Sequence, residues 1–183
     1  MQEVVQGNMA LVAELSALCA DSPDAVRHAS DMDGNTQHWF TLSAPEKIVD
    51  AAKAMSAAHA RLAMISGYKI TPDSGHAGCT FGACYHFDVA GVVYNVTALM
   101  TPAHNEVPTI TPWFFNADWH EREMQELVGI RVKDQPSPER LFLDPELDRG
   151  VLGKVVPLSV MMNGACSTDL WEHILSEREG GKA

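Results

Sequence analysis

The feature that most constrains the fold is a run of alternating apolar and polar residues between Tyr85 and Met100. Tyr85, Phe87 and Val89 alternate with less apolar neighbours, and the alternation resumes after Gly91. A period of two residues is typical of a β-strand with one buried face, and a glycine between two such runs favours a tight turn. The segment therefore predicts an antiparallel β-hairpin.

Apolar residues recur every three or four positions in four other segments, which predicts amphipathic helices. These helices are expected at residues 2–20, from Ser43 to about His59, at 116–128 and from about Thr168. Aromatic and β-branched residues predict strands at 38–42, 61–70 and 107–115. This order of elements indicates an α+β fold, with helices packed on one face of a mostly antiparallel sheet and an irregular C-terminal extension.

Local signals refine this outline. Ser43 and Glu46 have the spacing of a capping box at the start of the second helix, and Gly129 is placed to end the third. Pro108 and Pro112 lack the N–H that a sheet requires, so the strand around them should be irregular or at an edge. Polar residues at 21–37 predict a loop. We expect an N-terminal helix and linker at 1–37, an α+β core domain at 38–130 and an extended C-terminal segment with a terminal helix at 131–183.

Composition excludes several classes of protein. The chain has 183 residues, 46% of them hydrophobic, and a formal net charge of −11. That charge argues against binding to nucleic acid or anionic lipid, because proteins that bind these partners use Lys and Arg to do so. No apolar run approaches the roughly 18 residues of a membrane-spanning helix, and the N-terminus does not resemble a signal peptide. We expect a cytoplasmic protein with reduced cysteines.

The third helix carries the most distinctive charge pattern, with Glu121, Arg122, Glu123 and Glu126 close behind Trp119. These charges would pair with a partner protein at an interface, because a planar guanidinium holds a carboxylate through two hydrogen bonds. A solvated helix face is the alternative on charge pattern alone. Hydrolysis is disfavoured because no nucleophile motif accompanies the carboxylates.

This helix also carries a family resemblance. Residues 107–112, 117–123 and 126–130 closely resemble the signature of the C subunit (30 kDa type) of NADH:quinone oxidoreductase, respiratory complex I. The same family includes the equivalent subunit of membrane-bound, energy-converting NiFe hydrogenases. Residues 135–136 and 139–143 resemble its His-Pro and Arg-rich segments, with Gln135 in place of the usual His. Gly153 and Val155 stand where complex I proteins have Arg and Asp, which favours the hydrogenase branch (group 4).

The resemblance implies an accessory subunit without a redox centre, in a membrane-associated complex that couples electron transfer to ion translocation. It would pack on the large catalytic subunit of that complex and lie near an iron–sulfur subunit. The large subunit is the NiFe subunit in a hydrogenase or, alternatively, the D-type subunit in NADH:quinone oxidoreductase. NiFe and iron–sulfur centres, or flavin and iron–sulfur centres, would belong to those partners. The complex would place the chain peripherally on the cytoplasmic side of the cytoplasmic membrane. The expected interface residues are Trp119, Glu121, Arg122, Glu123, Glu126 and Arg140.

A small metal-binding protein is a further alternative. His76, Cys79, Cys84 and His86 supply four zinc-type ligands within eleven residues. The competing interpretation is that these are ordinary cysteines and surface histidines, because convergence requires a tight fold-back of the loop.

The remaining cysteines and aromatic residues are interpreted as structural. Cys19 and Cys166 are expected to be buried apolar side chains, as isolated cysteines often are. We also expect Trp39, Trp113 and His59 to be buried, whereas Trp119 suits a core and an interface equally.

Overall fold

The computed structural model describes residues 2–70, 78–143 and 149–150, and for residues 2–8 it describes the backbone alone. Predictions for His76, Cys166, residues 151–158 and the final helix lie outside these ranges. The helices are α1 (Gln2–Ser16), α2 (Ile48–Ala57), preceded by a 3₁₀ turn at Pro45–Lys47, and α3 (Ala117–Leu127). The strands are β1 (Val26–Ser30), β2 (Thr36–Thr41), β3 (Arg61–Lys69), β4 (Phe81–Val89), β5 (Val92–Met100), β6 (Glu106–Pro108) and β7 (Arg131–Lys133).

Five strands form the main sheet in the order β1-β2-β5-β4-β3, and the predicted α+β fold is confirmed. All neighbours are antiparallel except β2 and β5. The predicted hairpin is β4–β5, whose turn residues Ala90 and Gly91 have φ values of 51° and 85°. Positive φ at both central positions matches the right-handed twist of paired strands, and glycine adopts it without steric cost.

One face of this sheet and the helices enclose the core. Tyr85, Phe87 and Tyr94 are fully buried on that face, as the alternation predicts. Leu15 of α1 and Met55 of α2 belong to the same cluster. The opposite face of the sheet, here called the open face, carries the intervening residues of β4 and β5.

The segment 21–37, predicted as a loop, contains a second hairpin formed by β1 and the start of β2. Four of the five β1 residues are exposed, so this edge strand has no apolar alternation to signal it. The Asp31 carboxylate accepts backbone N–H bonds from Asp33 and Asn35, both at 2.9 Å, and thereby stabilises the turn. The loop prediction was wrong because an exposed edge strand requires little apolar surface.

The predicted capping box at Ser43 and Glu46 is absent. The Ser43 hydroxyl instead donates to the Leu18 carbonyl oxygen at 3.2 Å, and the 3₁₀ turn Pro45–Lys47 precedes α2. His59, predicted to be buried, is exposed beyond the helix end with φ of 54°. The apolar stripe of α2 itself is confirmed.

Two other predictions need correction. The strand expected at 107–115 is reduced to β6, which pairs in parallel with β7 outside the main sheet. Two prolines in the segment limit its pairing. Trp39 lies half-buried on the open face rather than in the core, and the Arg27 guanidinium lies 5.3 Å from its ring centre. Trp113 packs against the core as expected.

Helix α3 packs closely against β3 at Gly67. A Cβ atom at this position would lie 2.6 Å from Cγ of Met124 and 3.4 Å from a methyl group of Val128. The first distance is shorter than real Cβ contacts, so the glycine allows the helix to approach the strand. This contact sets the distance between α3 and the sheet.

We expect Gly67→Ala to destabilise the chain by about 1–3 kcal/mol, the usual range for an overpacked core. Met124→Ala removes the opposing atoms, so Gly67→Ala should cost less in that background. Urea unfolding of the two single variants and the double variant measures this coupling. Strictly additive free energies of unfolding would show that the close approach at Gly67 is not energetically important.

Candidate functional site

Helix α3 divides into a buried face and an exposed face. Ala117, Glu121 and Met124 lie on the buried face, together with Gln125. Trp119 lies on the other face with 68% of its surface exposed, and Phe115, just before the helix, is 88% exposed. The helix therefore presents aromatic side chains to solvent and directs carboxylate and amide groups inward.

Glu121 is fully buried and connects the helix to the segment after β6. Its carboxylate accepts hydrogen bonds from the Thr109 hydroxyl at 2.6 Å and from the Ile110 backbone N–H at 2.7 Å. The Thr111 hydroxyl at 3.2 Å and the Gln135 side-chain amide at 3.1 Å complete the set. Burial raises the pKa of Glu121 above its ordinary value, although the hydrogen bonds oppose this shift.

Glu126 holds a second segment by a different arrangement. Its carboxylate accepts the backbone N–H groups of three successive residues, Leu141, Phe142 and Leu143. Burial alone would raise the pKa of Glu126, but these N–H groups and the nearby Arg140 charge outweigh it and lower the pKa. A concave group of consecutive N–H donors is a recognised anion-binding arrangement. We call residues 141–143 the carboxylate nest.

Arg122 binds the residues that lead into this nest. Its guanidinium donates to the backbone oxygens of Glu139 at 3.1 Å and Arg140 at 2.7 Å. It also lies 3.7 Å from the Asp118 carboxylate, and both side chains are mostly buried. Arg122 thus supports the chain's own backbone on one side of the helix.

The expected interface residues therefore fall into two groups. Glu121 and Glu126 are buried, while Arg122 and Arg140 are partly buried against the chain itself. Trp119 and Glu123 are exposed. The sequence indicated which charged residues are present, but not whether each side chain faces the interior or the solvent. The available signal was the spacing of Glu121 and Gln125, four and eight residues after Ala117 and hence on the buried stripe.

The residues of the proposed metal site lie elsewhere. Cys84 and His86 are on the open face, and the His86 ring nitrogens are engaged by Ser66 at 3.0 Å and Asn95 at 2.7 Å. Across residues 2–70, 78–143 and 149–150, no group of three or more His, Cys, Asp or Glu side chains is arranged to hold a metal ion. His76 lies outside those ranges.

Comparison with known proteins identifies the family. The sequence model of one protein family, described as the respiratory-chain NADH dehydrogenase 30 kDa subunit, matches residues 42–163. This range is more than half of the chain. The chain belongs to this family. The match contains α3 and the segments that its carboxylates hold, so the resemblance at residues 107–130 is confirmed.

Individual relatives of the 30 kDa subunit family match over shorter segments. The C subunit of NADH-quinone oxidoreductase from Chloroherpeton thalassium is 28% identical over 101 residues, covering 49% of this chain and 42% of the relative. The C/D subunit of NADH-quinone oxidoreductase from Shewanella woodyi is 36% identical over 64 residues, covering 35% of this chain and 11% of the relative. The chain thus spans less than half the length of these curated relatives.

One solved structure is similar to this chain in fold. The trypsin-resistant fragment of Nqo5 superposes with a TM-score of 0.53 at 19% identity, covering 72% of this chain and 98% of the fragment. Among the residues whose structure is described, no helix combines the length and apolar character needed to cross a membrane.

The carboxylate nest yields a direct prediction. Glu126→Gln removes the charge of the acceptor and should weaken its three hydrogen bonds. A hydrogen bond to a charged group typically contributes about 1.5–3 kcal/mol to stability. Amide exchange at residues 141–143 should accelerate about tenfold or more, because a loss of about 1.4 kcal/mol corresponds to a factor of ten. Glu123→Gln is the matched control, since that carboxylate is exposed on the same helix. Equal exchange in the two variants would contradict the nest.

Glu121 should make stability depend on pH in a defined direction. A carboxyl whose pKa is raised by folding binds its proton more tightly in the folded chain than in the unfolded chain. Its contribution to stability is therefore lost as the pH rises from the ordinary Glu pKa, about 4.3, through the raised pKa. Over this pH interval the free energy of unfolding of the wild type should fall relative to that of the Glu121→Gln variant. Urea titrations at several pH values measure the difference. A difference that is constant or rises with pH would be inconsistent with a raised pKa.

Proposed function

We propose that this chain is an accessory subunit, without a redox centre, of a membrane-associated complex-I-like oxidoreductase. In this role it packs on the large catalytic subunit through Phe115 and Trp119, with Glu123 as a polar contact at the edge. The observation that carries the proposal is the exposure of Trp119, 68%, on a helix whose opposite face is bound internally. Family membership supplies the class of complex.

Exposed aromatic residues at the start of α3 could supply binding energy. Trp and Tyr are enriched among the few residues that contribute most binding energy at protein interfaces, and large exposed apolar side chains commonly mark such surfaces. Trp119 and Phe115 are exposed in the isolated chain at nearby positions of the same segment. A partner that covers them would gain apolar contact area.

Rigidity of α3 provides the second argument. Association loses affinity when interface side chains must first be ordered. Glu121, Arg122 and Glu126 bind the segments around the helix, and Arg140 lies beside Glu126. We therefore assign these four residues a positioning role behind the interface, in place of direct contact with the partner.

The large subunit could be of the hydrogenase type or of the complex I type. Gly153 and Val155 replace the Arg and Asp of complex I proteins, which favours the NiFe subunit of a group 4 hydrogenase. The Shewanella woodyi relative is named as a C/D subunit, which favours instead a D-type subunit of NADH:quinone oxidoreductase. We propose the hydrogenase-type partner and retain the D-type partner as the alternative.

Redox chemistry would then belong to the partners. We infer that NiFe and iron–sulfur centres, or flavin and iron–sulfur centres, lie in the large subunit and in neighbouring subunits. The chain would be held peripherally at the cytoplasmic side of the cytoplasmic membrane by these contacts. Electron transfer coupled to ion translocation is a property of the whole complex.

Affinity purification from the native host in mild detergent tests the proposal. The tagged wild type should recover a large subunit and membrane subunits, and mass spectrometry would distinguish NiFe hydrogenase proteins from flavin and NADH-module proteins. Trp119→Ala should reduce recovery strongly, because interface anchors contribute about 2 kcal/mol or more, or roughly thirtyfold in affinity. Its free energy of unfolding should change by less than about 0.5 kcal/mol, as for other exposed substitutions.

Met32→Ala is the control, since Met32 is a fully exposed apolar residue on the β1–β2 turn. Equal recovery by the Trp119→Ala and Met32→Ala variants would exclude the proposed interface. Recovery of the tagged chain alone, with bound zinc or iron, would favour the metal-binding alternative.

A further inference from the structure

The open face of the main sheet contains a groove that the proposed function does not use. Its volume is about 530 Å³, within the usual range for small-molecule sites. Strands β1 to β5 all contribute to it, and its lining includes Arg27, Trp39, Ser66, Cys84 and His86. The groove lies on the face of the sheet opposite the core and helix α3.

A chain of hydrogen bonds fixes which nitrogen of the His86 ring carries the proton. The Asn95 side chain is 5% exposed, and its Nδ2 donates to the His38 carbonyl oxygen at 3.2 Å. Its Oδ1 therefore faces Nδ1 of His86, 2.7 Å away, and can only accept. Nδ1 of His86 consequently carries the proton, and Nε2 of the neutral ring has a lone pair that can accept a hydrogen bond.

A hydroxyl group and a thiol group lie beside this ring. Ser66 Oγ lies 3.0 Å from Nε2, and the Cys84 side chain also forms a hydrogen bond with the ring. Ser66 and Cys84 are direct neighbours in the β3–β4 register, whereas His86 is two residues further along β4 on the same face. The hydrogen bond with Cys84 raises the pKa of His86, although burial opposes this shift.

This arrangement has the parts of an activated nucleophile. A thiol lies beside a base, and the base is oriented by a third, buried group. Cys19 differs, because its thiol lies just beyond the end of α1 and donates to the Leu15 carbonyl oxygen, and burial raises its pKa. Burial in that setting makes a cysteine unreactive.

We propose that Cys84 is a covalent modification site, in which His86 acts as the base, Asn95 positions the ring and the groove admits a small uncharged electrophile. Both Arg27 and Asp24 line the groove, so neither sign of charge is favoured. In the reaction, Sγ of Cys84 attacks the electrophilic carbon and forms a carbon–sulfur bond. The leaving group departs with its electron pair, and the thiol proton passes to Nε2 of His86.

Iodoacetamide is a suitable probe, because it is small, is uncharged and releases iodide. The purified full chain is treated at neutral pH, and mass spectrometry of its peptides gives the alkylation rate of each cysteine. Cys84 should react about tenfold or more faster than Cys79, since a positioned base commonly contributes at least that factor. Cys79 is half-buried, does not line the groove and serves as the internal control. Equal or slower reaction of Cys84 in the wild type would overturn the proposal without any variant.

Variants then test the role of the base. His86→Ala should slow alkylation of Cys84 by about tenfold or more and leave Cys79 unchanged. Added imidazole should restore part of the Cys84 rate, which a merely structural effect of the substitution would not allow. His104→Ala, at an exposed histidine outside the groove, is the matched control.

Two further results would overturn the role assigned to His86. One is an unchanged Cys84 rate in a folded His86→Ala variant, as judged by circular dichroism. The other is a slowed rate that imidazole does not restore.

Discussion

Two inward-pointing carboxylates on α3 are the interactions that hold the irregular segments following β6 and β7 in place. Glu121 accepts the backbone N–H of Ile110 and the hydroxyl of Thr109, and Glu126 accepts three successive N–H groups in the carboxylate nest. The segments they bind have little regular structure, so their N–H groups have few ladder partners. Because an unpaired buried N–H is costly, an acceptor from the helix stabilises backbone that a sheet does not.

The same two residues show how environment separates identical chemical groups. Burial dominates at Glu121 and raises its pKa, whereas three N–H donors and the Arg140 charge lower the pKa of Glu126. Five residues of helix thus separate carboxyls with opposite pH responses. With Glu121, Arg122 and Glu126 used internally, α3 leaves Trp119 as the prominent exposed side chain for a partner.

The parts of the fold that rest on apolar periodicity were predictable from the sequence. The β4–β5 hairpin and the stripe of α2 follow from side chains that must leave water. Strand β1 was missed because it is exposed, and the capping box failed because the Ser43 hydroxyl found an acceptor 25 residues away. At the candidate site, the sequence showed which charges were present. The spacing of Glu121 from Ala117 indicates the buried face, but the backbone groups that Glu121 and Glu126 bind lie in distant segments, which no local pattern reveals.

The parallel pairing of β2 with β5 has a consequence for how the chain reaches its native state. Gln37 lies opposite Val93, so the sheet joins residues that are 93 − 37 = 56 positions apart in the sequence. Closing so long a loop loses chain entropy before any contact compensates, which slows folding. During synthesis, the β2–β5 pairing cannot form until β5 has left the ribosome. Until then β2, which carries the buried side chain of Phe40, can pair only with β1, and its other edge is open to aggregation.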